Sequence, residues 1–256
     1  PFLSVMINKN LKERIFGPYL SEHFWWMGDG KSHMNNWTVW CTQNVLLAAF
    51  TRELPEDVKN QIFEKARKSV DYFLDEYGVD GCCDEGAQYY RHAGLCLFNC
   101  LEILNGISGN KFLSFYETEK IKNIASYILN AHIDGIYYVN FSDCSPAAGR
   151  CGAREYLFGK RTGNKDLMAF AAEDYRQGKD PFTKDEHNLF YRLQSAFTYR
   201  EMTAFGKDFP IVHKDLWYES AGIFMARDEH LYLAVKAGDN DDSHNHNDTG
   251  SFTVYK

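Results

Sequence analysis

No run of 18 consecutive apolar residues occurs in this 256-residue chain, so no segment reads as a membrane span. Positive charge is in short supply. Lys and Arg number 28 against 35 Asp and Glu, a net charge of −7. That balance argues against general nucleic-acid binding, although a local basic patch could still hold a polyanion. A disulfide framework is missing too. The seven cysteines are odd in number, and Cys96 and Cys100 lie inside an apolar helical run, as reduced buried thiols do. This favours a reducing, cytoplasmic compartment. Cys82-Cys83 has no matching pair with which to form a structural zinc site. No signal peptide and no tight repeat are visible. The chain starts at Pro1 without Met and stops at Lys256 directly after a strand-like run. It is therefore expected to be a fragment of a longer protein, so the lack of a visible signal peptide leaves a periplasmic or secreted location as the alternative.

What is present is enough apolar residue, 45%, to bury a full core. Aromatics reach 16%, with 16 Tyr and 5 Trp. Such rings fill cores, and they also stack on sugar faces. Residues 1–209 read as mainly helical. Val58, Ile62, Ala66, Val70, Phe73 and Tyr77 recur at helical spacing behind Pro55-Glu56-Asp57, and Gly78 ends the run. Ala93 to Leu104 is apolar almost all round, which predicts a buried helix. Ile121, Ile124, Ile128 and Ala131 mark another, and Leu189, Leu193 and Phe197 one more. Such helices suggest stacked antiparallel hairpins. After Phe209-Pro210 the pattern turns β-rich, at 222–226, 231–235 and 252–255, separated by turn-like Asp228-Glu229 and 238–242. The expected fold class is α+β, with a helical domain over 1–209. The start of an antiparallel sheet domain follows over 210–256. So short a sheet again suggests truncation.

Four segments carry candidate chemistry. Met34-Asn35-Asn36-Trp37 opens a helix, where one Asn serves as a cap. A second Asn beside Trp37 could present an amide and a stacking ring to a ligand. The segment Asp80 to His92 concentrates Asp80, Asp84, Glu85, Tyr89, Tyr90, Arg91 and His92 between two helices. A structural reading also fits: Glu85 near a helix start, and tyrosines packed in the core. Ser142-Asp143 is followed by Arg150, Arg154, Lys160, Arg161 and Lys165, with Glu155 as the sole acid over 150–165. That stretch suits either an anionic ligand or a solvated loop. Ser243-His244-Asn245-His246-Asn247-Asp248 is too polar for a core explanation. On an extended segment His244 and His246 would face one side. That suits a metal ligand beside a catalytic base, or two halves of a proton relay.

Together these segments resemble the heparinase II/III-like polysaccharide lyases, in the family's order through most of the chain. The matching pieces are Asn35-Asn36-Trp37, the Asp80-Gly…Asp84-Glu85-Gly-x-x-Tyr89 segment, Phe141-Ser-Asp143 with Leu157 to Asn164, and 243–252. The resemblance implies an incomplete α/α toroid followed by antiparallel β-sandwich sheets. It implies β-elimination at a uronic acid, on an acidic polysaccharide or oligosaccharide substrate. By the resemblance Asn36 would neutralise the substrate carboxylate, and Tyr89 would be the catalytic acid and a candidate base, with Tyr90 the alternative. His244 would be the catalytic His of the sheet domain, and His246 a ligand of a structural Zn2+ whose other ligands lie past Lys256. Glu85 would orient the tyrosine loop, and Trp37, Glu85, Tyr90, Arg91 and Arg154 would contact substrate. Trp37 stands where several members carry His, which points to a different uronic-acid epimer. A fragment of this kind need not be active even where its parent is.

Two other readings compete. A glycoside hydrolase on a similar helical scaffold would need two carboxylates flanking the bond. Asp80, Asp84, Glu85 and Asp143 are available for that, but His244 and His246 are then left without a role. A non-catalytic carbohydrate-binding protein would be expected to have lost the Tyr or the His, and both are present.

Overall fold

A computed structural model describes residues 2–178, 188–207, 209–241, 243–244 and 246–256. Asp242 and Asn245, read above as parts of a turn and of the His run, lie outside the described residues. The chain is α+β, mostly helical, with antiparallel strands in two sheets. It divides into two compact units: Pro1–Tyr77 with Cys96–Leu113, and Gly78–Leu95 with Ser114–Lys256. No helix among the described residues is long and apolar enough to cross a membrane.

In the first unit, α1 (Phe2–Leu11) continues through a π-turn at Lys12–Phe16 into α2 (Gly17–Ser21). Helices α3 (Asn36–Phe50) and α4 (Glu56–Glu76) pack against each other. The core joins Phe16, Tyr19, Met27, Val45, Ala49 and Ile62. Asn35 caps α3, its side chain accepting from the Trp37 N–H at 3.0 Å. Pro55 stands at the N-cap of α4 rather than inside it, and Glu56 and Asp57 supply the acidic first turn. Ile62, Ala66, Val70 and Phe73 form the buried stripe, each large side chain contributing about 1.5–3 kcal/mol. Helix α5 (Gly94–Ser108) belongs to this unit from Cys96 onward, and Leu95 to Leu101 are all buried. None of the seven cysteines forms a disulfide.

The second unit holds α6 (Glu119–Ala131), a two-stranded ribbon of β1 (His132–Asp134) and β2 (Tyr137–Tyr138), then α7 (Ala153–Thr162), α8 (Lys165–Gln177) and α9 (Leu189–Ala204). A four-stranded antiparallel meander follows: β3 (Leu216–Tyr218), β4 (Ile223–Arg227), β5 (Tyr232–Lys236) and β6 (Phe252–Tyr255). The expected division at 209 falls inside this unit, because the sheet is bonded to α6. Tyr218 Oη accepts from Asn130 at 2.9 Å, and Arg227 and Tyr232 both donate to the Asn130 carbonyl. In α9 the Leu189-Leu193-Phe197 stripe is exposed, while Tyr191, Thr198 and Met202 are buried. The spacing gave the helix but not its inner face. Strand β5 turns Tyr232, Ala234 and Lys236 inward, with Lys236 Nζ donating to the Ala221 carbonyl at 3.0 Å.

The β5–β6 connection, 237–251, carries the histidine run, and its base is fixed on the sheet. Ala237 N donates to Gly222 O at 2.7 Å, and Gly250 N to Lys236 O at 2.9 Å. Gly222 has φ +60°, and a Cβ there would lie 2.2 Å from the Gly238 Cα. Thr249 Oγ1 closes the loop onto the Asp239 carbonyl at 2.7 Å.

Candidate active site around His244

Three segments of the second unit meet: the turn 83–92, the loop 141–145 and the β5–β6 connection. Ser142 Oγ donates to the Asp84 carbonyl at 2.6 Å. Ser142 N donates to Asp248 Oδ2 at 2.5 Å, and Ser243 N to Asp84 Oδ2 at 3.2 Å. Asp84 and Asp248 thus tie the loops together. Gly86, at φ +90°, lets the turn pass against 141–144: a Cβ there would sit 2.7 Å from the Phe141 carbonyl oxygen.

Within this frame His244 lies between two carboxylates. Its Nδ1 is 2.5 Å from Asp143 Oδ2, and its Nε2 is 3.1 Å from Glu85 Oε2. Glu85 is 1% exposed. His246 Nε2 contacts the other oxygen of Asp143. One carboxylate therefore bridges both histidines. The Tyr89 ring stacks on the His244 ring at 4.3 Å between centroids, 29° apart in plane, and meets His92 edge-on at 6.1 Å. Tyr89 is half-buried, so its hydroxyl-bearing ring borders solvent.

Backbone strain concentrates here. Among the described residues, the non-glycine positions with positive φ are Asn110, Ser142, His244 and Asn247. Asn and His are enriched in this region, whereas Ser142 adopts it at a cost of roughly 1–2 kcal/mol. Ser142 immediately precedes Asp143, and His244 supplies the imidazole, so both positions lie at the carboxylate–imidazole contact. His244 and His246 thus reach one carboxylate through a turn at His244, and not from the extended segment expected.

No family model and no curated protein matches the chain.

The sequence-predicted residues separate into groups. Tyr89, His244, Glu85 and His246 come together as described. Glu85 is sequestered against the imidazole, so the expected substrate contact is replaced by support of His244. Tyr90 is 0% exposed, donates to the Ala125 carbonyl at 3.3 Å, and packs on Tyr127. Burial pushes its phenol well above the ordinary range, so it stays neutral. Arg91 donates to the carbonyls of Ala148 and Arg150, bracing that loop from inside. Arg154 donates to the Arg91 carbonyl at 2.9 Å and lies 3.9 Å over the Tyr191 ring. Both guanidinium groups hold the unit itself together where substrate contact was expected. Arg150 pairs with Asp174, and Lys160 with Glu201 at 2.7 Å. The cationic stretch thus runs from the loop before α7, at Arg150, through α7 itself to the first residue of α8, Lys165. In the first unit Asn36 is fully buried at the start of α3. Trp37 is 47% exposed, its ring 5.9 Å from that of Trp25 and 6.2 Å from that of Trp40. Sequence reasoning gave no lyase role to Asp143, Asp84, Asp248 or His92. Only the Phe141-Ser-Asp143 match hinted at the first of them.

Among the described residues, no group of three or more His, Cys, Asp or Glu side chains is disposed to hold a metal ion. His246 and Asp143 offer two donors, where zinc takes three or four protein ligands. The described residues therefore do not by themselves make the expected zinc site.

His92 gives a pH prediction. Burial, then the charges of Arg154 and Arg91, push its pKa from 6.5 down to about 4. His213 is pushed to about 4 by burial and then by Arg227 and His132. The unfolded chain binds these protons first, so the stability from neutral burial is complete above pH 6.5. It is lost as pH falls through about 4. The melting temperature is expected to drop across that interval, and His92→Gln is expected to flatten the drop. An unchanged slope in the variant would remove His92 as a cause.

Proposed function

We propose that the protein is a polysaccharide lyase cleaving a uronic-acid-containing polymer, glycosaminoglycan- or alginate-like, by β-elimination. The observation that carries this reading is the Tyr89–His244 stack, with the imidazole held by Glu85 and Asp143. Elimination needs the C5 proton removed, the C4–O4 bond broken with its electrons leaving on oxygen, and that oxygen protonated. The C5–H pair becomes the C4–C5 double bond. In its phenolate form Tyr89 Oη can take the proton from C5 and then, as the phenol, give it to the leaving oxygen, which restores the phenolate, so no net proton is consumed. Charge on that oxygen develops beside the stacked imidazole, whose carboxylate partners fix it in advance. Both ring nitrogens of His244 are engaged, so it acts on Tyr89. To reach the sugar itself it would have to release Glu85 or Asp143.

Asn36 takes the carboxylate-neutralising role by the resemblance alone. Because it is fully buried, a substrate carboxylate would have to displace what covers it. The toroid scaffold and zinc likewise belong to this proposal through the resemblance, and zinc carries no step in the reaction. The hydrolase alternative fares less well. Asp80 is held by Ser220, through Oγ at 2.7 Å and N at 2.8 Å. Glu85 and Asp143 face the two sides of one imidazole, not an open gap for a glycosidic bond.

Mass spectrometry of the oligosaccharides released by the full-length protein tests the reading. Elimination adds no water across the broken bond, so the fragment bearing the new non-reducing end is expected to be one water lighter than a hydrolysis product. Products that all carry the added water would overturn it.

A further inference from the structure

We infer that Asp143 is the positioning residue of the site, clasping His244 with one carboxylate oxygen and His246 with the other. This rests on the lyase reading for its effect on turnover, but its geometry stands independently. Asp143 Oδ2 is 2.5 Å from His244 Nδ1, and Oδ1 contacts His246 Nε2. Neither histidine lies in a regular strand, so the sheet alone does not set their ring directions. Their backbone turns through a left-handed residue at His244. A ring on such a turn needs an outside anchor to hold one orientation.

The anchor is itself anchored. Ser142, immediately before Asp143, is held by Asp248 at its N–H and by the Asp84 carbonyl at its hydroxyl. Asp84 also accepts from Ser243 N, immediately before His244. The two short segments are thus cross-bonded on both sides of the Asp143–His244 contact, which fixes donor and acceptor relative to each other. A carboxylate at Nδ1 selects the proton on that nitrogen and sets the ring plane. That plane lies under Tyr89. Asp143 therefore acts through His244 and touches no reacting atom.

The test uses nitrogen NMR of the imidazole rings of the full-length protein near neutral pH, with His244→Gln and His246→Gln to assign signals. In the wild type His244 Nδ1 is expected to bear a proton in slow exchange. In Asp143→Ala, with Glu85 still at Nε2, that signature should disappear as the proton moves to Nε2, and the His246 signals should move with it. If Asp143→Ala does not fold, Asp143→Asn serves. Its amide has one acceptor where the carboxylate has two, so at least one of the two rings must lose its acceptor. Unchanged spectra for both histidines in the folded variant would overturn the proposal. With a uronate polymer as substrate, kcat of Asp143→Ala should fall about a hundredfold or more, with KM nearly unchanged. A fall in activity that only tracks the folded fraction would assign Asp143 a structural role instead. If no polymer is cleaved by any form, the lyase reading fails, and the spectra still decide whether Asp143 positions His244.

Discussion

Tyr89→Phe is expected to reduce elimination about a thousandfold or more, with the melting temperature nearly unchanged. The variant keeps the ring, and with it the stack on His244 at 4.3 Å. It removes only the oxygen through which both proton transfers would pass. Tyr89 is half-buried, so loss of its hydroxyl leaves no sequestered polar group behind. Tyr90→Phe should behave in the opposite way. Its hydroxyl donates to the Ala125 carbonyl in a fully buried setting. Removing it is expected to cost about 1–3 kcal/mol of stability and to leave kcat close to wild type. Steady-state kinetics beside thermal unfolding separates the two. Retained turnover in Tyr89→Phe, with turnover lost in Tyr90→Phe, would reverse the assignment.

Gly86→Ala is expected to lower both stability and turnover. The residue has φ +90°, where an L side chain is strained by roughly 1–2 kcal/mol. The added methyl carbon would also sit 2.7 Å from the Phe141 carbonyl oxygen and 3.1 Å from the Cys144 Cβ. Backbone is on one side of that clash, so the loop 141–144 must move. Asp143 lies in that loop, and its contacts with His244 and His246 would move with it. A destabilisation of about 2–4 kcal/mol, with kcat falling further than the folded fraction accounts for, is the expected result. Wild-type turnover in a folded Gly86→Ala protein would show that the register of the two loops is unimportant to the chemistry.

The helical parts of the fold were legible because apolar spacing survives as burial. Ile62, Ala66, Val70 and Phe73 in α4, and Ile121, Ile124, Ile128 and Ala131 in α6, are all on inner faces. The same spacing misled in α9. There Leu189, Leu193 and Phe197 are exposed, and Tyr191 and Met202 are buried. A 3.6-residue period identifies a helix but does not say which of two partly apolar faces turns inward. Strand β3 and the β1–β2 ribbon, at two or three residues each, are too short to carry a readable alternation.

The candidate site was legible as composition and not as geometry. Its polar segments stood out because Asp80 to His92 concentrates many polar groups between two helices and the run with His244 and His246 is too polar for a core explanation. Which atoms meet depended on contacts spanning a hundred residues or more. Asp143 joins His244 and His246 across sequence separations of 101 and 103 residues. No local pattern encodes that. The internal bonds of Arg91 and Arg154 were not legible for a related reason. Charged residues beside a polar segment suggest ligand contacts, whereas these guanidinium groups are drawn inward by backbone carbonyls and the Tyr191 ring. Tyr89 and Tyr90 are adjacent and chemically identical, and only burial distinguishes them.

Elimination by Tyr89, set on His244, is tested most directly by incubating the full-length protein with uronic-acid polysaccharides and following ultraviolet absorbance of the new C4–C5 double bond alongside reducing ends. The two are expected to rise together, one double bond for each reducing end. Reducing ends that accumulate without that absorbance would contradict it.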